Sequence, residues 1–366
     1  MFVTHSLPTL IIFLKNNQIT FLFTNCSPRD KLKHINYPLN TTMDESQITR
    51  NQHYIPQFYL RRFQNAEKKV QVLSCKNNKI FLPSSPKSIC SEEFYYGAET
   101  GVSDKVSQEV ETMFSNLETS LAEKIPPIEK KLLNGEAVSE DEKWTLGFLM
   151  SMIWIRGPVM REQNRRMVED ITKQMMSFTF SMSDEHIKGF FDKFDSTSGE
   201  TTSPEMRQKL KESFLNKDYK LNVNNAIHIG MFENIHNFAN LFAGQDWFVY
   251  ISKAKLGFIT SDNPVAEVFP KRKSFYGASF LDREHYFTLS SEILIHCKHP
   301  NKKNQKGIRR KTYYNNDNDK ILSSNILIAS YALKFIYAKE REPLEEILKI
   351  VELHKKQQYK SLITPK

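Results

Sequence analysis

Two short segments of this sequence place histidine, carboxylate, amide and arginine side chains close together. Residues 51–63 read Asn-Gln-His-Tyr-Ile-Pro-Gln-Phe-Tyr-Leu-Arg-Arg-Phe, and residues 260–264 read Thr-Ser-Asp-Asn-Pro. A histidine can donate or accept a proton near neutral pH, and a carboxylate can orient that histidine or bind a metal ion. If folding brings the two segments together, they could form one reactive site.

The first segment supplies a candidate acid or base. His53 and Gln57 are candidate catalytic residues, and Tyr54, Arg61 and Arg62 are candidate substrate-binding residues. Alternatively, His53 is buried and hydrogen-bonded, because buried polar side chains are generally satisfied in this way. In that case His53 fastens the N-terminal segment to the core and takes no part in catalysis.

The second segment follows the apolar run 256–260, which predicts a buried strand. Asp262 would then lie at the strand end, where a rigid element can present a carboxylate at an exposed rim. Asp262 and Asn263 are candidate catalytic residues, and Ser261 is a candidate substrate-binding residue. Alternatively, Asp262 or Asn263 forms an Asx-turn that caps only its own backbone.

Arg156 is a further candidate catalytic residue, because it ends the apolar helical stretch 148–155 and should be half-buried. A buried guanidinium needs an anionic partner, either a protein carboxylate or the phosphate or carboxylate of a ligand. Asp262 is the first partner that we expect. If the two pair, both are structural; if His53 joins them in a cleft, an anion-binding or hydrolytic site results.

The same residues carry a resemblance to a known family. Residues 53–60 together with residues 261–265 resemble a largely bacterial family called domain of unknown function 4238. The likeness runs from about Gln52 to about Glu340, and it includes residues 90–96 and the stretch 154–158. The resemblance implies a family and no reaction, so the roles of the residues rest on their own chemistry.

The charge of the chain favours polyanionic partners. Lysine and arginine total 51 against 42 aspartate and glutamate, which gives a formal charge of +9 and a pI of about 9.1. Six of the ten residues 302–311 are cationic. Lys302, Lys303, Arg309 and Arg310 are therefore candidate contacts to nucleic acid or another phosphate-containing ligand. The alternative is that this segment is a solvated loop.

The cysteine content and the hydropathy pattern predict a cytoplasmic protein. The four cysteines form no Cys-x-x-Cys motif, which favours reduced thiols. No apolar run approaches the roughly 20 residues that span a bilayer, so we expect no membrane segment. Residues 1–42 read as an upstream extension with little fixed structure, and Met43 is an alternative start. The oligomeric state cannot be read from the sequence.

The hydrophobic periodicity predicts an α+β fold: one predominantly helical domain over residues 43–366, with an N-terminal β-hairpin and a small C-terminal sheet. The hairpin strands are expected at 70–75 and 79–82, and a mobile loop is expected near 181–203. Helices are predicted over 103–125, 139–155, 161–180, 204–214, 223–242, 324–337 and 343–359. Further strands are predicted over 247–251, 258–260, 286–289 and 293–296.

Two functions are compatible with these residues. The first is a phosphodiester hydrolase in a defence or toxin-like role, in which His53, Asp262 and Glu111 could hold a divalent metal. The second is a non-enzymatic module that binds nucleic acid or a protein, with both motifs acting as internal scaffolding. The enzyme requires the side chains of His53, Arg156 and Asp262 to meet in one solvent-reachable pocket, whereas the scaffold buries them against separate partners.

Overall fold

The structure is an α+β fold in a computed structural model that describes residues 9–15, 18–24, 49–97, 104–199, 201–223, 225–268, 282–300 and 308–363. From the sequence we expect one domain over 43–366, whereas the contacts divide the chain into two compact units. The first unit comprises Met1–Ile48, Tyr96–Val110 and Met160–Glu233. The second comprises Thr49–Tyr95, Glu111–Val159 and Asn234–Lys366 and contains both sequence motifs.

The described helices follow the predicted periodicity in most places. They are α1 Gln57–Leu60, α2 Asp104–Asn134, α3 Glu140–Arg156, α4 Pro158–Phe180, α5 Asp184–Ser198, α6 Pro204–Asn216, α7 Ala226–Gly230, α8 Ile235–Ala243, α9 Asn318–Ser330 and α10 Glu342–Ile363. The predicted capping box is confirmed: the Ser139 hydroxyl accepts from the Glu142 N–H, and Glu142 accepts from the Ser139 N–H.

The described strands are mostly short. They are β1 Thr9–Lys15, β2 Gln18–Thr24, β3 Asn51–His53, β4 Gln71–Ser74, β5 Lys79–Ile80, β6 Ser91–Glu93, β7 Leu221–Asn222, β8 Asp246–Ser252, β9 Thr260–Ser261, β10 Val265–Val268, β11 Glu284–Ser290, β12 Ile293–Lys298, β13 Ile308–Tyr313 and β14 Phe335–Ala338. The predicted hairpin is β4–β5, and Asn78 in its turn has a φ of 49°. Asparagine tolerates this left-handed conformation better than most residues.

A five-stranded sheet forms the centre of the second unit, with the strand order β10-β11-β12-β8-β13. All neighbours are antiparallel except β13 and β8, which are parallel. Helices α3 and α8 cover one face. There the Trp247 indole N–H donates to the Phe242 carbonyl at 2.9 Å, and the ring centroids of Phe242 and His285 lie 5.0 Å apart.

A four-stranded sheet of the second unit, with the order β5-β4-β14-β9, carries the other core of that unit. Phe258 and Ile259, just before β9, are buried in one cluster with Ile336 of β14. Ile328 of α9 and Ile347 of α10 belong to the same cluster. The helices α9 and α10 therefore stabilise the strand that carries the Ser-Asp-Asn-Pro motif.

Four secondary-structure predictions are wrong. Helix α2 continues through Pro126 and Pro127, because burial of Ile125, Ile128 and Leu132 holds the turns on both sides of the prolines. The expected loop near 181–203 contains α5, which buries Ile187 and Phe191. A 3-10 turn, Met231–Asn234, interrupts the helix predicted over 223–242. The helix predicted over 324–337 ends at Ser330, and β14 follows it.

The first unit has its own apolar core. Met176 and Phe180 of α4 pack with Phe191 of α5 and Phe214 of α6. The centroids of the Phe180 and Phe214 rings lie 4.6 Å apart. Within residues 1–42, β1 and β2 form an antiparallel hairpin, and β2 pairs in parallel with β7; the rest of that expected extension lies outside the described residues.

Candidate functional site

The first motif enters the core through β3, which pairs with β6, and then begins α1 after Pro56. His53 is the last residue of β3 and is 8% exposed. Burial lowers the pKa of His53 below its usual value, although nearby Glu118 and the backbone of Lys87 and Pro86 oppose this effect. His53 is therefore a buried, hydrogen-bonded histidine.

Tyr59 of α1 connects the first motif to the second. Its hydroxyl lies 2.7 Å from Oγ1 of Thr260 and donates to the Thr288 carbonyl oxygen at 2.7 Å. Its ring stacks on Phe287, with centroids 5.4 Å apart. Because Tyr59 and Thr260 are both fully buried, these contacts hold α1 against β9 and β11. The two motifs thus converge, as expected, but through a tyrosine and a threonine.

The Asp262 carboxylate binds the turn that precedes β14. Its Oδ1 accepts from the Leu333 N–H at 2.9 Å, and its Oδ2 accepts from the N–H groups of Lys334 at 2.7 Å and Phe335 at 3.2 Å. The side chain is fully buried. Burial raises the pKa of Asp262, and the three backbone donors oppose that effect. Asp262 therefore caps a distant turn, not its own backbone.

Asn263 and Ser261 strengthen the same connection. The Asn263 amide donates to the Tyr331 carbonyl oxygen at 3.1 Å, and the Asn263 N–H donates to the Ser261 hydroxyl at 3.1 Å. Ser261 is fully buried and Asn263 is 5% exposed. Ser261, Asp262 and Asn263 thus bind backbone groups, and Asp262 and Asn263 fix the loop between α9 and β14.

Tyr54 and Cys90 extend this buried contact region. The Cys90 thiol donates to the Tyr337 hydroxyl at 3.3 Å, and Tyr54 hydrogen-bonds to Cys90. Burial raises the pKa of Tyr54, and the charge of Asp262 raises it further. Tyr54 is 3% exposed. The first and second motifs therefore meet a second time, around a thiol that is fully buried.

Arg156 ends α3 and is 1% exposed. Its Nη1 lies 2.5 Å from Oε1 of Glu118, and its Nη2 donates to the His53 carbonyl oxygen. Its guanidinium lies 4.1 Å from the centre of the Phe114 ring. We expected Asp262 as the first partner, and the structure instead gives this role to Glu118, because α2 runs alongside the end of α3.

Glu111 lies about two helical turns before Glu118 on α2. Burial raises the pKa of Glu111 to about 7, while Arg156 opposes the rise. Glu118 adds to it through its negative charge. A single guanidinium thus acts on two carboxylates, and burial is the largest influence on the pKa of Glu111.

The remaining first-motif and basic-segment candidates lie in different surroundings. Arg62 pairs with Glu129, and burial lowers the pKa of Arg62 to about 10. Arg310 donates to the carbonyl oxygens of Gly135 and Glu136. Arg61 is exposed and Gln57 is half-buried, and Lys302 and Lys303 lie outside the described residues.

The structure does not bring the Asp262 carboxylate together with Arg156, although Arg156 contacts the backbone of His53. Asp262 binds the 333–335 backbone, whereas Arg156 binds Glu118 and the backbone of His53. Within the described residues, no three His, Cys, Asp or Glu side chains form a group suited to a metal ion, so Glu111, Asp262 and His53 are not brought together as ligands. Burial against separate side-chain partners is what we expected of internal scaffolding, and the function of the two motifs stays a prediction.

The face of the five-stranded sheet opposite α3 and α8 carries a different set of side chains. Residues directly opposite each other on neighbouring strands share a face. Tyr286 of β11 is opposite His296 of β12, and His296 is opposite Phe248 of β8. Phe248 is opposite Arg309 of β13. These four side chains form one row across four strands, and we call this surface the outer face.

Aromatic contacts run along the outer face. The centroids of Tyr286 and His296 lie 3.8 Å apart and those of His296 and Phe248 lie 5.9 Å apart. Beside this row, Tyr250 of β8 stacks on Tyr313 of β13, its diagonal neighbour, with centroids 5.4 Å apart and planes 10° apart. Phe248, Tyr250 and Tyr286 are half-buried, and Tyr250 and Tyr286 pack against the apolar cluster that contains Ile328 of α9.

Cations border these rings. The Arg309 guanidinium lies 4.7 Å from the Phe248 centroid, and the Lys298 ammonium lies 5.4 Å from it. The Lys311 ammonium lies 5.7 Å from the Tyr313 centroid. Such distances are within the range of cation–π attraction. The outer face is buried toward α9, where Leu294 and Tyr313 belong to the apolar cluster with Ile328. At Phe248, beside Lys298 and Arg309, it combines partly exposed ring surface with positive charge.

Two carboxylates balance part of that charge. Glu284 accepts from His296 Nε2 at 2.8 Å and lies 3.6 Å from the Lys298 ammonium, and Asp246 lies 3.8 Å from Arg309. Burial lowers the pKa of His296 to about 4, so its ring is neutral near pH 7. The stacked row consequently carries its positive charge at the edges, on Lys298 and Arg309.

Sequence reasoning missed the outer face because register cannot be read from one sequence. The strands that contain Phe248, Tyr286 and His296 were predicted, but nothing in the sequence shows that these residues are cross-strand neighbours. The alternative interpretation of 302–311 as a solvated loop is wrong for its last four residues, which lie in β13. Residues 308–313 read Ile-Arg-Arg-Lys-Thr-Tyr, which shows no alternation of polar and apolar residues, so the sequence carried no period-2 signal for β13.

Comparison with known proteins places this chain in one family. The family model described as "Protein of unknown function (DUF4238)" matches residues 51–342, and the chain belongs to this family. No curated protein and no solved structure matches the chain. Among the described residues, every helix is too short or too polar to span a membrane.

Proposed function

We propose that this protein binds single-stranded nucleic acid on the outer face of its five-stranded sheet. The observation that carries the proposal is the row Tyr286, His296, Phe248 and Arg309, which crosses four neighbouring strands. Three rings in contact and a cation at the end of the row provide surfaces for both bases and phosphates.

The rings supply a way to hold bases without reading their sequence. Every base has a π-face, and stacking of a base on an aromatic side chain contributes about 1–3 kcal/mol. Tyr286 and Phe248 are half-buried, whereas His296 between them is 3% exposed. We therefore assign base stacking to Tyr286 and Phe248, with His296 as the support that fixes both ring planes.

The cations supply contacts to the phosphate backbone. Lys298, Arg309 and Lys311 lie beside the rings, and the first two are paired with Glu284 and Asp246. These pairs are partly exposed, and exposed pairs contribute little to stability, so phosphates can replace the carboxylates at low cost. The formal charge of +9 favours the approach of a polyanion.

A single strand fits this surface better than a duplex. Bases in a duplex are stacked on each other and offer no free π-face to a flat sheet, whereas unpaired bases can lie on aromatic side chains. Residues 301–307 join β12 to β13 in the sequence and contain Lys302, Lys303 and Lys306. They connect the two strands that carry Lys298 and Arg309, which suits contacts to the phosphate backbone of a nucleic acid.

The hydrolase hypothesis stays a prediction, and the site geometry does not favour it. Arg156 and Asp262 are 1% and 0% exposed, and each binds protein groups.

A reducing compartment such as the cytoplasm is our proposal for the protein's location. It rests on Cys75, Cys90 and Cys297, which are free thiols in the structure.

The test is fluorescence anisotropy with labelled single-stranded RNA and DNA of mixed sequence and with a duplex of the same sequence. Phe248→Leu and Tyr286→Leu should each weaken single-strand binding about 5- to 150-fold, since each removes one base–ring contact. Phe81→Leu is the matched control, because Phe81 is 37% exposed and lies away from the outer face. Lys298→Gln should remove one phosphate contact. The slope of the log of the binding constant against the log of the salt concentration should then become shallower by about 0.7.

Two results would overturn the proposal. One is absence of single-strand binding by the folded wild-type chain at low salt. The other is binding that Phe248→Leu and Tyr286→Leu leave at the strength of the Phe81→Leu control. Circular dichroism of each variant shows whether the fold is kept, and a folded Tyr286→Phe variant, which retains the ring, should bind like the wild type.

A further inference from the structure

Helix α4 of the first unit exposes a line of large apolar side chains. Met167, Ile171, Met175 and Phe178 are 51%, 49%, 64% and 65% exposed, and Met182, two residues after the helix, is 39% exposed. Residues three or four apart lie on the same face of a helix. We call these five residues the α4 stripe. From Met167 to Phe178 the stripe runs about 16 Å along the helix.

The core of the first unit does not use these residues. Met176 and Phe180 of the same helix are 4% and 1% exposed and pack in the apolar cluster with Phe191 and Phe214. Because a helix buries one side against its own core, the α4 stripe is left facing away from that cluster. Scattered apolar residues on a surface are ordinary, but a contiguous line of five marks an interaction surface.

The outer members of the α4 stripe are placed symmetrically about its centre. The intervals between its members are four, four, three and four residues, and the midpoint falls between Gln174 and Met175. In an antiparallel pair of α4 helices centred there, Ile171 of one copy is opposite Phe178 of the other. Met167 is likewise opposite Met182. A two-fold axis therefore places Ile171 against Phe178 on both sides of the centre, where Met175 of each copy lies beside Gln174 of the other.

We propose that a second copy of this chain covers the α4 stripe and forms an antiparallel, two-fold symmetric pair. An exposed apolar patch of this kind covers on the order of 400 Å² per copy. Two copies would bury on the order of 800 Å² before the polar rim is counted, which suits a weak, concentration-dependent dimer. Methionine is well suited to such a contact because its side chain adapts to the opposing surface.

The test is sedimentation velocity of the nuclease-treated full-length chain over a range of micromolar concentrations at high salt, which removes nucleic acid as a bridge. The wild type should shift from monomer to dimer as concentration rises. Met175→Glu should weaken dimerisation at least tenfold, since it places like charges at the two-fold axis. Met206→Glu is the matched control, because Met206 is 36% exposed on α6 of the same unit and lies outside the α4 stripe.

A second variant keeps the proposal testable if Met175→Glu fails to fold. Met175→Cys should form a disulfide-linked dimer on mild oxidation to a greater extent than the wild-type chain, whereas Met206→Cys should match the wild type. A wild type that stays monomeric at every concentration would overturn the proposal. So would assembly that continues beyond the dimer, or a dimer that neither Met175→Glu nor Met175→Cys affects. Binding of oligonucleotides is measured separately, so either proposal can fail alone.

Discussion

The Tyr59 hydroxyl lies 2.7 Å from Oγ1 of Thr260, and this contact joins the two segments of the sequence that are richest in reactive side chains. Both residues are fully buried. The convergence that the sequence suggests is therefore real, and in the structure it connects α1 to the strand that leads to Asp262. We expect this connection to contribute to the stability of the fold.

Tyr59→Phe should lower the free energy of unfolding by about 1–3 kcal/mol. The substitution removes the hydrogen bonds to the Thr260 hydroxyl and to the Thr288 carbonyl oxygen, and both of these groups stay buried without the tyrosine hydroxyl. Urea denaturation followed by circular dichroism measures this loss. Tyr314→Phe, which changes a tyrosine that is 58% exposed, should stay within about 0.5 kcal/mol of the wild type. Equal effects of the two substitutions would show that the buried hydroxyl contributes nothing.

Asp262→Asn should destabilise the protein by about 2–4 kcal/mol. The amide that replaces the carboxylate cannot accept hydrogen bonds at both positions, so at least one N–H of the 333–335 turn loses its charged acceptor. Asp170→Asn, a change at an exposed aspartate, is the control. A fully stable Asp262→Asn protein would contradict the structural role and favour a catalytic one.

Glu118→Gln should destabilise the protein by about 1–3 kcal/mol, because it leaves the Arg156 guanidinium, which is 1% exposed, without its charged partner. Glu123→Gln changes an exposed glutamate on the same helix and should have little effect. Thermal unfolding of the three proteins compares them directly. Wild-type behaviour of Glu118→Gln would mean that another anion balances Arg156.

Stability should fall as the pH drops from about 6.5 toward about 4. Burial lowers the pKa of His296 to about 4 and that of His285 to about 3, so between these values and 6.5 the unfolded chain binds protons that the folded chain does not. His296→Gln should remove part of this dependence and lose less stability over the same interval. Parallel stability curves for the variant and the wild type would contradict the lowered pKa of His296.

The predictable parts of the fold follow local rules. The capping box at Ser139 and the break at Gly157 act through neighbouring residues, so the bounds of α3 could be predicted. The hairpin β4–β5 likewise depends on its own turn. Helix α2 continued through Pro126 and Pro127 because tertiary packing outweighed a local penalty that the sequence displays clearly.

The candidate site was harder to predict, because the partner of a buried polar side chain depends on the tertiary structure. Arg156 needs an anion, as its burial implies, but the identity of Glu118 depends on how α2 passes α3. Asp262 ends a buried strand as expected, and the turn that it binds lies in a segment for which a helix was predicted. The row of Tyr286, His296 and Phe248 depends on strand register, which no local pattern specifies.

The most direct test of nucleic-acid binding on the outer face is ultraviolet crosslinking of the full-length chain to single-stranded RNA and DNA, with the modified residues identified by mass spectrometry. Crosslinking joins bases to side chains in contact with them, so we predict adducts on Phe248, Tyr286 or Tyr250. Competition by unlabelled single strands, and not by duplex, should abolish them. Adducts confined to other surfaces, or none under conditions where a known binder crosslinks, would contradict the proposed function.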